Sequence, residues 1–298
     1  MNVLFDEYGR VRAIWRFLFA VIVCIAANYI AAGLAQTFAN SPRRFDLVYR
    51  PTLMLALLGG FSILLIGLDR VEQNPLSAMG LQLWRLWLKD IGLGLSIGSG
   101  MILLAIAVIA VVGSLNAHVT LTVHATLLAA VEVVILLTGA MAEELMFRGY
   151  PFQRLVEAAG PVVAVAVFSF LFGAAHLRNP HASMWGFLNT ILVGVLFSLA
   201  YLRTRSLWMP WAMHFAWNTT LGLIFGLPVS GLTDFAVVMK SHATGPVWLT
   251  GGSYGIEASA LGTLVLVLGL LTVIRFVHQR QPLALTPQDD AVELQPRN

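Results

Sequence analysis

Two adjacent glutamates, Glu143 and Glu144, follow a run from Ala125 to Ala142 whose only charge is Glu132. Arg148 stands one helical turn beyond Glu144. A later apolar stretch ends in Phe172-Gly173-Ala174-Ala175-His176, and another carries His214-Phe215-Ala216-Trp217-Asn218. A charged side chain at the centre of a membrane helix costs about 2.5–3.5 kcal/mol even on lenient insertion scales, so its default reading is a functional site lined by protein or water. A carboxylate beside a histidine in a partly dry cavity can deprotonate a water molecule. A second histidine and an asparagine can donate hydrogen bonds to an oxyanion. Two histidines and a glutamate also match a catalytic zinc shell with one open position. Hydrolysis of an amide fits either arrangement, and the choice between them stays open at this level.

Other hydrolytic patterns fit poorly. Gly94-Leu95-Ser96-Ile97-Gly98 has the letters of a nucleophile elbow, which needs a strand-to-helix turn, whereas these residues lie in an apolar helical stretch. Gly94 and Gly98 read instead as a small-xxx-small packing face. The single cysteine, Cys24, lies in the first apolar segment and reads as a small buried residue. No His-Glu-x-x-His helix is present. Asn189 reads as a supporting polar contact. His118, His124 and His181 lie in or near loops and read as solvated or interfacial.

The elements that must hold these groups are membrane helices. Hydrophobic residues make up 58% of the 298 and charged residues 11%, against roughly 25% charged in soluble domains. Crossing the hydrocarbon takes about 20 apolar residues. Eight stretches qualify approximately: Phe17–Ala39, Pro51–Leu68, Ile91–Val112, Ala125–Arg148, Pro161–His176, Met184–Leu202, Leu207–Leu227 and Ala258–Val277. The fold class is therefore an all-α polytopic transmembrane helix bundle. One membrane domain spans 1–277, and a polar tail of 278–298 reads as disordered and cytoplasmic. Leu81–Lys89 mixes Trp, Leu and basic residues and predicts an interfacial helix. Pro228–Gly255 reads as an outer loop.

Cytoplasmic loops carry excess Lys and Arg. Placing the N-terminus inside leaves only Arg43, Arg44, Arg50, Arg178 and Lys240 outside and makes both ends cytoplasmic. Basic residues flank the apolar segments, which points to topology and membrane lipid and not to nucleic acid. The chain reads as an integral protein of the plasma (inner) membrane.

Spacing supports convergence of the polar groups. His214 and Asn218 are four residues apart and share a helical face, as do Glu144 and Arg148. Glu143 points about 100° away from Glu144, so at most one of the two faces the centre of the site, and the other holds Arg148 or a neighbouring helix. His176 lies about 22 Å along its helix from Pro161. Glu144 reaches a matching depth of about 20 Å if its helix continues to about Glu157, kinked near Gly149 and Pro151. His214 fits less well, at about 11 Å from Leu207, with Asn218 at about 17 Å.

At these residues the sequence resembles the membrane family of type II CAAX prenyl endopeptidases and bacterial Abi-type proteins. That family carries Glu-Glu-x-x-x-Arg, Phe-x-x-x-His and His-x-x-x-Asn motifs on separate spans. They stand here as Glu143 to Arg148, Phe172 to His176 and His214 to Asn218, in order. The resemblance implies a multi-helix intramembrane endopeptidase acting on a membrane-associated protein or peptide. It implies that Glu143 or Glu144 with His176 activates the water, and that His214 with Asn218 steadies the oxyanion or completes a metal site. The family has been described as metal-dependent and as glutamate-dependent, so a divalent metal such as zinc is an open alternative. Prenylated substrates do not follow from the match. The rival readings are a non-catalytic immunity factor or scaffold on the same fold, and a solute or proton transporter.

Overall fold

In hydrocarbon every backbone N–H and C=O must be paired within its own segment, and helices do this. The computed structural model describes residues 3–6, 11–68, 75–83, 85–120, 123–233, 235 and 238–280. Its helices are α1 (Ala13–Phe38), α2 (Pro42–Leu68), α3 (Pro75–Ala78), α4 (Trp87–Val111), α5 (Val123–Phe147), α6 (Tyr150–Ala159), α7 (Pro161–Ala175), α8 (Met184–Thr204), α9 (Trp208–Asn218), α10 (Val247–Thr250) and α11 (Ala260–Phe276). Among the described residues, six stretches are long and apolar enough to cross a membrane: Ala13–Phe38, Pro42–Ile66, Trp87–Val111, Thr126–Ala159, Pro161–Arg178 and Met184–Thr204. The molecule is a polytopic helical bundle. The seventh and eighth expected spans are shorter: α9 runs on into a π-helical segment, Thr219–Ile224, and α11 has 17 residues. Large apolar side chains such as Ile22, Ile63, Ile66 and Val162 are exposed on helix faces, which suits a surface solvated by lipid.

Several expectations change in the structure. Leu81–Lys89 is not one interfacial helix; α4 begins only at Trp87. The backbone before it is committed elsewhere: Gly80 O accepts from Leu207 N, and Gln82 O from Trp208 Nε1. Arg43, Arg44 and Arg50 belong to α2 and not to a loop. The expected outer loop contains a strand, β2 (Met239–Ala243), antiparallel to β1 (Leu115–Val119). Of the expected tail, 281–298 lie outside the described residues, but Arg280 is anchored: its guanidinium pairs with the buried Asp90 carboxylate at 2.7 and 2.8 Å.

Among the described residues the packed interior forms two apolar blocks. Met101, Phe197, Met213, Trp217 and Val265 belong to one. Leu57, Ala142, Leu145, Phe168 and Tyr201 belong to the other. The residues flanking His214 are therefore in the first block and those flanking Glu143 and Glu144 in the second. The polar groups lie at the seam.

Helix α4 sets the position of α9. A Cβ added at Gly94 would lie 2.7 Å from Ala212 Cβ, and one at Gly98 would lie 3.0 Å from Ala216 Cβ and press on the Met213 carbonyl oxygen. Ser96, the would-be nucleophile, is exposed and bonds its own helix at Gly92 O. Gly98→Val is expected to push α9 off α4 and destabilise the fold by roughly 1–3 kcal/mol, as overpacking typically does. Thermal unfolding in detergent reads this; an unchanged midpoint would contradict it.

Candidate active site

The glutamates sit on the last turns of α5, where the helix breaks. Glu144 O accepts from both Arg148 N (2.8 Å) and Gly149 N (2.9 Å). A Cβ at Gly149 would press on Leu145 O, so the close turn requires glycine there. Pro151 then opens α6 in its first turn, where its missing N–H removes nothing. The expected continuation of the helix past Arg148, kinked at Gly149, is what the chain does.

Glu144 is completely buried. Its carboxylate accepts from Arg148 Nη1 at 3.2 and 3.3 Å and bonds His214 Nδ1 through Oε1 at 3.0 Å. Arg148, also fully buried, donates Nη2 to Gly194 O at 3.3 Å and lies over the Phe172 ring, 4.4 Å from its centroid. This contact gives the motif phenylalanine its role. The Phe172 ring also packs against His176, with centroids 4.8 Å apart, and edge-on against His214 at 6.1 Å.

Glu143 faces the other way, as the helical offset requires. It lines a cavity of about 540 Å³ that also takes in His176, His214 and Asn218. His214 Nε2 stands 3.8 Å from Glu143 Oε2. One imidazole thus spans the pair, with Nδ1 on the sealed glutamate and Nε2 on the open one. The depth shortfall expected for His214 is absent, since it touches Glu144 directly. His176 bonds Phe172 O through Nδ1 at 2.8 Å. A carbonyl can only accept, so Nδ1 carries the proton and Nε2 is left for a ligand in the cavity.

These are the three motifs, brought together. Residues 124–220 match the Rce1-like type II CAAX prenyl endopeptidase family model. The chain carries an Rce1-like CAAX endopeptidase family domain. Glu143, Glu144, Arg148, His176, Asn189, His214 and Asn218 all fall inside this domain. No curated protein and no solved structure matches the chain.

Other cavity residues lie outside the endopeptidase-like domain, and sequence reasoning missed them. Glu257, in the turn before α11, accepts from Trp217 Nε1 at 2.8 Å, from Ser230 Oγ at 2.9 Å and from Ser230 N. Ser230 and Gly231 have φ of 48° and 82°, and Val229 and Leu232 exchange backbone hydrogen bonds around them. This is the geometry of a tight two-residue turn with both central residues left-handed. Glu257 therefore pins the tip of a small turn against the cavity, one residue before Asn218 on α9. Asn189 holds the same segment from behind, donating Nδ2 to Glu257 O and Ser259 O and accepting from Thr263 Oγ1. Its side chain is fully committed to this brace. Arg50 of α2 also lines the cavity.

The side chains present do not fit a three-ligand metal shell. His214 commits Nδ1 to Glu144 and turns Nε2 toward Glu143. Among the described residues, no group of three or more His, Cys, Asp and Glu side chains is arranged to hold a metal ion.

Proposed function

We propose that the protein is an intramembrane endopeptidase that hydrolyses a peptide bond of a membrane-associated protein or peptide, with Glu143 as general base. One observation carries this reading: Glu143 opens onto the cavity beside His176 and His214, while Glu144 is sealed beneath it by Arg148. Family membership of the domain supports the reaction class.

The chemistry follows from the geometry. A water between Glu143 and His176 donates one proton to the Glu143 carboxylate and its other O–H to the free Nε2 of His176. Its oxygen attacks the scissile carbonyl carbon. The oxygen of that carbonyl becomes an oxyanion and accepts from His214 Nε2–H and from the Asn218 amide, one turn along the same face. His214 acts here with both nitrogens protonated, its Nδ1–H fixed on Glu144. The C–N bond then breaks, and the leaving nitrogen takes the proton held by Glu143. One water is consumed, and one carboxyl and one amino terminus appear. Glu144 and Arg148 act through His214 as positioning residues. The proposed orientation puts both termini in the cytoplasm and the protein in the plasma (inner) membrane, supported by the Lys and Arg that flank the apolar stretches.

The test uses purified full-length protein in liposomes with a library of membrane-inserted peptides, followed by mass spectrometry. The expected result is cleavage that continues at an undiminished rate after treatment with a strong divalent-metal chelator. Rate loss restored by zinc would overturn the metal-free scheme. A wild-type protein that cleaves nothing would favour the scaffold reading.

A further inference from the structure

Arg50 is placed where a catalytic cavity has no structural need of a guanidinium. It rises from α2, and its side chain lies against Gly139 of α5; a Cβ at Gly139 would lie 2.9 Å from Arg50 Cδ and press on Nη1. Gly139 precedes Glu143 by four residues and so shares its helical face. The guanidinium therefore sits about 6 Å along α5 from Glu143, one turn away, and its charge reaches that carboxylate. Its own satisfaction is poor. Nε is buried without a hydrogen-bond partner. Among the described residues its ion-pair partner is Asp46, at 3.8 Å and on the partly exposed side of the helix. That distance exceeds a charge-assisted hydrogen bond of about 2.7–2.9 Å. The cavity it lines has apolar walls at Leu53, Leu136 and Phe147, beside the hydrogen-bonded pair Tyr49 and Asn28.

A planar fork of five donors matches a carboxylate bidentately, and apolar walls strengthen such a pair relative to water. We propose that Arg50 reads a carboxylate on the substrate, held about one helical turn from the catalytic carboxylate. At about 3.3 Å per residue of extended peptide, this places the carboxylate about two residues from the scissile bond. It is carried either by a chain terminus or by an Asp or Glu side chain. The guanidinium also offsets the repulsion that such an anion meets from Glu143. Glycine at 139 is what admits the fork to this position. The inference rests on the endopeptidase reading for the peptide nature of the ligand, but its test is binding and needs no turnover.

The probes are three short peptides: N-acetyl-Leu-Val-Leu as the free acid, the same peptide as its C-terminal amide, and N-acetyl-Leu-Glu-Leu amide. Binding to full-length wild type, Arg50→Gln and Gly139→Ala is measured by calorimetry in nanodiscs. Wild type is expected to bind at least one carboxylate-bearing probe roughly tenfold or more tightly than the neutral amide, the scale of a charged hydrogen bond. Which of the two it prefers identifies the source of the carboxylate. Arg50→Gln removes the preference and leaves binding of the neutral amide as it was. Gly139→Ala, which keeps the charge but displaces it, removes the preference as well and serves if Arg50→Gln does not fold. Equal binding of all three probes by wild type, or a preference that survives both substitutions, overturns the proposal. A carboxylate preference without any cleavage by wild type would sink the endopeptidase reading and leave this one standing. Cleavage without the preference would do the reverse.

Discussion

Arg148→Met is expected to destabilise the protein by about 3–5 kcal/mol, the usual consequence of removing one member of a buried ion pair. Glu144 has no solvent to turn to, being fully buried with its carboxylate bonded to Arg148 and to His214 of α9. With Arg148 gone, its carboxylate keeps His214 as its hydrogen-bond partner among the described residues, and the Phe172 face loses the cation above it. The double variant Glu144→Gln with Arg148→Met removes both charges and is expected to recover much of the loss, since replacing a whole buried pair is often near neutral. Cleavage should stay impaired in the double variant, because His214 loses the carboxylate that fixes its Nδ1. Chemical unfolding in detergent measures the first effect. A single-variant loss under about 1 kcal/mol would place the pair among weakly coupled surface bridges and contradict this account.

Glu143→Gln has the opposite signature. Its side chain is 29% exposed to the cavity, so the fold should tolerate the amide with little change in unfolding midpoint. Turnover should fall by about 10²–10⁴, the usual contribution of a general base, and the fall should appear in kcat with KM nearly constant. Glu144→Gln should lower the unfolding midpoint as well, because it leaves the Arg148 guanidinium buried without its carboxylate. Measuring rate and midpoint together for the two variants separates the base from the brace. Equal stability loss in both would mean that the glutamates share one structural role.

Much of this site was legible from spacing, and its gaps have physical causes. The four-residue intervals correctly put Glu144 with Arg148 and His214 with Asn218, and depth alone called for a helix running past Arg148. The angular offset established that only one glutamate could face the centre. Which one depends on the rotation of α5, and that is set by packing against α2 and α9, which no local interval encodes. His214 meets Glu144 although it lies only about 11 Å along its helix from Leu207, because distance along a helix does not fix where two helices touch. Arg50 falls between spans in the sequence because the expected second span starts at Pro51. Pro42 is the first residue of α2, and Pro51 is carried inside the helix. Glu257 lay beyond any periodic pattern. Its place depends on Asn189, which sits 68 residues earlier in sequence, and on a turn whose left-handed residues include a serine. Asn189 was expected as a supporting residue, and the structure gives that support a specific form: it braces the Glu257 segment.

The central claim is that Glu143 drives addition of water to a peptide bond. Its most direct test is to incubate membranes containing wild type or Glu143→Gln in ¹⁸O-water and sequence the new peptide C-termini by mass spectrometry. Wild type is expected to yield at least one new C-terminus bearing ¹⁸O that is absent with Glu143→Gln. An identical set of labelled termini from both proteins would contradict it.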